Sequence, residues 1–544
     1  MASQNIGLKT TIGFAGNGRY GVTNKHYFVE GDELLITDDN NNRTKAWVLA
    51  LEENGDKIVL IDELGQLIND TNFNYTKAKV IRSGRRNQQA LAIGSITMKA
   101  NPIKETAIGS GVYKPLQDVI ENGSPNELQV LAASAVEYDD NWKALAGREP
   151  HCNTCGTYIP LVGQIVNPFI AAIQGTWRTK QSALYLGERN QENQAIYTST
   201  PNATLDLRKG ETYTSFRPFW IQPTTDKWEK TTIDGWTWAS RINNYSPFGQ
   251  EVENQDALYR YSSAIFGYNN SLAIAVANNA RQNQIAFDGF EDYDNYSEKI
   301  CNTTEHFKFV CDADRITEEE SHTGRNAMII RKPDVFQSGI HMTGTLQAVL
   351  PTTSINTACN VDFGDNIPYT VKPCDVITPF GPSTVFYSEE RENNQTAVKY
   401  VFSYWQKEKA SNQTIDYNNI KAQVKINGTG ILTSPYSKSK IIDGWQKVEY
   451  RFEIPNGTTG DIEISFVDDM GDFSYIDDVR IHPFNSSMKS YVYDPLSLRL
   501  WAELDDNNYA TFYEYDEEGK LLRIKKETER GIQTIQESRS SSVK

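Results

Sequence analysis

The chain has 544 residues, enough for about three or four domains at about 150 residues each. Hydrophobic residues make up 39% and aromatic residues 11%, which argues against disorder, and 28 Tyr with frequent Thr and Asn favour strands and turns over helices. A formal charge of −16, with only isolated basic pairs such as Arg85-Arg86 and Lys525-Lys526, argues against nucleic acid as a partner and suits a soluble protein, with bound Ca²⁺ as one use of the acidity.

No stretch of about 20 apolar residues exists, so no transmembrane span is expected. The start, Met1-Ala2-Ser3-Gln4-Asn5, lacks the basic region and apolar core of a signal peptide. We read the chain as a fragment or processed product with a start methionine added.

Residues 1–140 read as a small antiparallel β domain, barrel-like or a meander. His26 to Ile36, Ala46 to Leu51 and Lys57 to Ile61 are strand-like and are separated by Asn/Asp/Gly turns. Gly16-Asn17-Gly18-Arg19-Tyr20-Gly21 matches G-x-G-x-x-G, but a dinucleotide site needs a following helix. Val22 to Ile36 reads as loop and strand, so a glycine-rich turn is expected.

Residues 141–285 form an aromatic-rich connector region. Ala and Ser runs make Tyr259 to Ala280 the best candidate for a helix. Trp220, Trp236 and Trp238 are candidate ligand-binding residues, because flat aromatic faces pack against the C–H faces of sugars. Period-two Trp236-x-Trp238 equally describes a buried strand face, and both readings stay open.

Six cysteines fall into close pairs: Cys152 with Cys155, Cys301 with Cys311, Cys359 with Cys374. Disulfides and an oxidising compartment are one reading, buried thiols the other, and neighbour pairing is one of about fifteen connectivities. The Cys152–Cys155 spacing lacks a second ligand pair for zinc and a following helix for redox work, which favours a disulfide loop. His26, His306, His322, His341 and His482 are scattered, and no H-E-x-x-H or G-x-S-x-G occurs. No catalytic residue is named, and the chain is expected not to be an enzyme.

Residues 286–484 carry three landmarks: Phe287-Asp288-Gly289-Phe290-Glu291-Asp292, Ser321-His322-Thr323-Gly324-Arg325-Asn326-Ala327-Met328, and Tyr475-Ile476-Asp477-Asp478-Val479-Arg480-Ile481. With alternating strands at Val398 to Trp405 and Trp445 to Ile454, the segment resembles carbohydrate-binding modules of the galactose-binding-like type. The resemblance implies a jelly-roll β-sandwich, glycan binding and a structural Ca²⁺. By position Asp288, Glu291, Asp477 and Asp478 match the places of the metal ligands. Calcium takes about six to eight oxygens, so carboxylates suit it; a solvated acidic edge is the alternative. Trp405 and Trp445 read as core.

Within residues 489–544, Phe512-Tyr513-Glu514-Tyr515-Asp516-Glu517-Glu518-Gly519-Lys520-Leu521 resembles the tyrosine–aspartate (YD) repeat of Rhs-type bacterial surface proteins. A degenerate copy, Tyr491-Val492-Tyr493-Asp494, lies 22 residues upstream. Asp516 is expected to bind turn amides, and Gly519 to supply positive φ. Such β-hairpins need neighbours on both sides.

The fold expected is therefore mainly β. The function expected is that of a non-catalytic, secreted or cell-surface (outer-membrane-associated) bacterial interaction protein, glycan-binding through the jelly roll. The alternatives are a fragment of an Rhs-type polymorphic toxin shell, or a cargo or partner of an outer-membrane secretion or gliding machine. Expected partners are glycans, other segments of a larger parent chain, or an outer-membrane complex.

Overall fold

The computed structural model describes residues 10–23, 28–73, 79–84, 94–98, 130–142, 144–145, 163–187, 213, 216–224, 227–231, 235–246, 248–268, 270–294, 301–302, 316–331, 339–342, 370, 376–377, 397–408, 416–426, 429–432, 434–455, 462–468 and 473–538. The fold is mainly β, and among the described residues the only helical turns are the short 3₁₀ turns Glu53–Gly55 and Gln282–Gln284. The chain forms two compact units: Met1–Arg86, Asn141–Gly175 and Asn243–Lys544 make one, Asn87–Asp140 and Thr176–Ile242 the other.

In the larger unit, six strands close into an antiparallel barrel. Around it they run Thr10–Gly16, Arg19–Val22, Lys57–Ile61, Arg43–Glu52, Glu33–Thr37 and Lys79–Gly84, the last pairing back to the first. Alternation along each strand fills the interior with Ile12, Tyr20, Leu34, Ile36, Val48, Ile58 and Leu60. The G-x-G-x-x-G segment is the hairpin turn between the first two of these strands, with Gly16, Asn17 and Gly18 all at positive φ.

A β-sandwich follows. One sheet contains Ala397–Glu408 between Phe473–Pro483 and Gln446–Pro455, with Ala327–Arg331 and Ala286–Asp288 on Phe473–Pro483. The other contains Ile462–Asp468 between Gly339–Met342 and Ile420–Ile426. Tyr400, Phe402 and Tyr404 of the first sheet pack on Ile420, Val424, Ile464 and Phe466 of the second, forming the core of the sandwich.

The sandwich is an insertion in another sheet. Strands Glu251–Asp256, Tyr261–Gly267 and Leu272–Asn278 precede it, and Ser487–Tyr493, Leu500–Leu504, Ala510–Tyr515, Leu521–Thr528 and Gly531–Glu537 follow it. Ala275 pairs with Ser490 and Ala277 with Met488, joining the two halves antiparallel. The helix expected over Tyr259 to Ala280 is thus a β-hairpin. Its small residues serve close sheet packing, as buried Ala275 and Ala277 show, and Tyr268 and Asn270 take positive φ in the turn.

One turn design recurs. Asp38, Asp62, Asp256, Asp505 and Asp516 each receive the amides of residues two and four positions on, or four on alone for Asp516, at 2.8 to 3.0 Å. The residue three positions on is left-handed: Asn41, Gly65, Tyr259, Asn508 and Gly519. Aspartate satisfies the turn's inward amides, and the positive φ reverses the chain. At Asp494 the design is degenerate: Leu498 takes the left-handed place one position later, and Ser497 caps the carboxylate.

The smaller unit is built on an antiparallel sheet ordered Gly94–Met98, Val130–Asp139, Arg178–Tyr185 and the first part, through Ile242, of strand Trp236–Tyr245, with a separate hairpin Trp220–Thr224 and Lys227–Lys230.

Phe402 is fully buried among Tyr404, Tyr450 and Phe466. Phe402→Ala is expected to lower stability by about 3–5 kcal/mol, read as a shift in the urea midpoint at unchanged slope.

Candidate functional site

The three sandwich landmarks meet at one place. Strand Phe473–Pro483 carries a bulge opposite Tyr404: Ser403 pairs with Arg480 and Trp405 with Asp477, leaving Asp478 and Val479 against one residue. Asp478 sits there at φ 47°. Neighbouring side chains of a regular strand point to opposite faces; the bulge turns both Asp477 and Asp478 toward the 321–326 loop.

That loop is held by carboxylates. Asp477 accepts the amides of His322 at 2.8 Å and Thr323 at 3.2 Å. Glu291 accepts those of Arg325 at 2.6 Å and Asn326 at 2.7 Å, and the Asn326 side-chain amide at 3.1 Å. The Thr323 hydroxyl donates to Asp478 at 2.9 Å. Gly324 lies at φ +65° directly against the Glu291 carboxyl, where a side chain would collide. Asp288 accepts the Phe290 amide at 2.8 Å, with Phe290 at φ 58°.

His322 lies at the centre. Its Nδ1 is 2.6 Å from Asp478 and its Nε2 3.2 Å from Glu527 of strand Leu521–Thr528. The ring stacks on Trp405 at 3.9 Å between centroids and 14° between planes. Burial acts to lower its pKa, but Glu527 and Asp478 outweigh burial and raise it to about 9. The imidazole is therefore a buried cation at neutral pH, donating from both nitrogens and lying on an aromatic face. Burial pushes Glu291 up to about 8, Asp478 adding to the rise against its amide hydrogen bonds. Burial and Asp478 likewise push Asp477 well above the ordinary carboxylate range.

Further bonds tie the same region to the hairpins. Trp405 Nε1 donates to the Asn508 carbonyl at 2.7 Å, and Asn508 Nδ2 donates to the Asp478 carbonyl at 3.1 Å. Buried Arg480 donates to the carbonyls of Met488, Asp505 and Asp506. Lys447 donates to Asn507 at 2.9 Å.

Two clefts open beside these elements. One, about 560 Å³, lies between the 321–326 loop and the hairpins of residues 494–532. The other, about 430 Å³, lies on the sandwich and is lined by Gln406, Asp416, Asn418, Lys421, Tyr436 and Lys438. In the second, Lys438 Nζ reaches Asn418 at 2.8 Å, Asp416 at 3.3 Å and the Tyr417 carbonyl at 2.5 Å. Tyr436 is 60% exposed, with the Arg451 guanidinium 3.5 Å from its ring centroid.

The expected metal residues Asp288, Glu291, Asp477 and Asp478 are all buried, and the last three act on one loop. Their donor chemistry fits a hard cation. Their arrangement serves the loop: the oxygens named above accept N–H or O–H donors, and among the described residues no group of three or more acidic, His or Cys side chains stands where it could share one ion. Trp220 and Trp236 pack on Phe219 edge to face, at 83° and 71°. Trp236 also donates to the Arg217 carbonyl, and Trp238 carries the Arg241 guanidinium at 4.9 Å. Cys152, Cys155, Cys311, Cys359 and Cys374 lie outside the described residues, and of Cys301 only the backbone is described.

Sequence reasoning placed His322 inside a landmark but gave it no role, and it passed over Glu527 and Asn508. Their partners lie 100 to 200 residues away in the chain, and no local signal marks them. No protein-family model and no curated protein sequence matches the chain.

The titrations predict a pH profile. His322 and Glu291 bind protons more tightly when folded than unfolded, so their stabilisation is lost as pH rises toward 9 and 8 respectively. His482, buried beside Arg480, is lowered to about 3, so its contribution is lost as pH falls below 6.5. Between pH 4.5 and 6.5 the Glu291 and His482 contributions oppose one another. Melting temperature should therefore fall from pH 6.5 to 9, at no more than about 1.4 kcal/mol per pH unit for each group. His322→Gln should make that alkaline slope shallower; an unchanged slope would remove His322 from the account.

Proposed function

We propose that the chain is a non-catalytic interaction protein, secreted or on the bacterial cell surface, that binds glycans through its sandwich. The observation that carries this reading is the sandwich cleft. There the Lys438 ammonium lies within hydrogen-bonding distance of the Asn418 amide and the Asp416 carboxylate, and the exposed Tyr436 lines the same cleft. Sugar hydroxyls both donate and accept, and sugar C–H faces pack on aromatic rings, so such a mixture in an open cleft suits a saccharide. The non-catalytic reading is supported by His322, whose imidazole at the edge of the hairpin cleft is held between two carboxylates with 3% of the side chain exposed.

The reading includes structural Ca²⁺, supported by the burial of Asp288, Glu291, Asp477 and Asp478, whose oxygens are the donor type a hard cation takes. A cation there would replace the protons that the raised pKa values imply. A second reading, a segment of an Rhs-type shell that assembles with further parts of a parent chain or an outer-membrane complex, is favoured by the hairpin ladder over residues 487–537. Its Asp516 turn has the geometry expected from the Tyr-Asp motif.

Retention on immobilised polysaccharides tests the first reading. The wild-type chain should be retarded by at least one neutral glycan, and Tyr436→Ala or Lys438→Ala should weaken binding by about tenfold or more. No retention on any glycan, with or without Ca²⁺, would sink it. Millimolar Ca²⁺ should raise the melting temperature reversibly to chelation; no shift would leave Glu291, Asp477 and Asp478 to the loop alone.

A further inference from the structure

We infer that the cleft between the 321–326 loop and the hairpins is a second binding site, and that its ligand is an acidic saccharide. This inference is independent of the sandwich cleft.

The cleft is large enough for a sugar unit, about 560 Å³, and its walls include Trp501, Phe512, Tyr513 and Tyr515. The pairing of its charged groups selects the ligand. Glu514 is bound by Lys525 and by Arg523 at 3.1 Å. Asp516 accepts the Lys520 amide within its own turn, and Asp494 is capped by Ser497. These carboxylates and Lys525 are thus committed to neighbours. Arg499 is not: among the described residues its guanidinium has no carboxylate partner. It lies beside the Tyr515 ring, 5.7 Å from the centroid, and over Gly519, whose lack of a side chain leaves it room.

An exposed guanidinium without a carboxylate of its own offers planar donors in a fork that matches a carboxylate. Asp443, which also lines the cleft, has no hydrogen-bond donor among the described residues and suits a sugar hydroxyl. Aromatic walls suit the ring face of the same sugar. An anion alone would not use the aromatic rings, and a neutral sugar would leave Arg499 without its match. A uronate satisfies Arg499, Asp443 and the rings together. The net charge of −16 opposes long-range attraction of such a ligand, so binding must come from these short-range contacts.

Titration calorimetry with a short oligogalacturonate and with its methyl ester tests the proposal. The wild-type chain should bind the acid at least about tenfold more tightly than the ester. Arg499→Gln should abolish that preference, and Arg499→Lys should restore only part of it, because an ammonium lacks the fork. Trp501→Phe should fold normally and lose the ligand-induced change in tryptophan fluorescence, which serves if Arg499→Gln melts early. Tyr436→Ala, in the sandwich cleft, should bind the oligogalacturonate as the wild type does. Equal binding of acid and ester, no binding of either, or an acid preference that survives Arg499→Gln in a folded variant would overturn the proposal.

Discussion

The contact of the His322 imidazole with Asp478 on one side and Glu527 on the other joins three parts of the chain. His322 comes from a loop of the sandwich, Asp478 from its last strand, and Glu527 from a hairpin strand beyond it. Two buried carboxylates facing each other without a cation would repel, and a buried cation without them would lose its proton. Each group is tolerable in the interior only because the others are present. Removing one partner leaves an uncompensated charge, so the arrangement specifies how the hairpins dock more strongly than an apolar contact would. Trp405 extends the contact, stacking on His322 and donating to Asn508 in the adjacent hairpin turn.

The docking is needed because of the chain's path. A sheet begun by Glu251–Asp256, Tyr261–Gly267 and Leu272–Asn278 is interrupted by the whole sandwich and resumed at Ser487–Tyr493. The sandwich closes its own ends: Ala286 pairs with Ile481, so the strand that enters lies beside the strand that leaves. Its exit and entry points are then close enough for the outer sheet to pair across the insertion, as inserted domains with adjacent termini permit. Loop 321–326 reaches from the sandwich to the hairpins, where His322 meets Glu527, and lines the larger cleft.

Much of the fold could be read from local pattern. Alternation and Asn/Asp/Gly turns identified the mainly β class, and the Asp516 turn has the predicted bonds and the predicted glycine conformation. Composition misled where small residues served packing: Ala275 and Ala277 looked helical, yet they let neighbouring strands approach within a sheet completed about two hundred residues later. The four expected acidic residues are buried together at one end of the sandwich, because the landmarks that carry them are the segments adjoining its first and last strands. What the sequence could not convey was what those acids hold. That depends on a one-residue bulge at Asp478, which reverses a side chain without leaving a compositional trace. Arg499 was equally illegible, since its availability is defined by carboxylates that pair elsewhere.

The repeated aspartate turns bear on how such a chain acquires its structure. Each closes a hairpin from five consecutive residues, using an acceptor and a left-handed residue that are both local. Hairpins of this kind form on a microsecond scale, whereas pairing across the sandwich insertion requires closure of a loop of about two hundred residues. The turns after residue 487 can therefore form from local contacts, while the stability of the ladder comes from the neighbours it docks against. The two halves of the interrupted sheet are completed across the sandwich, where Leu272–Asn278 pairs with Ser487–Tyr493.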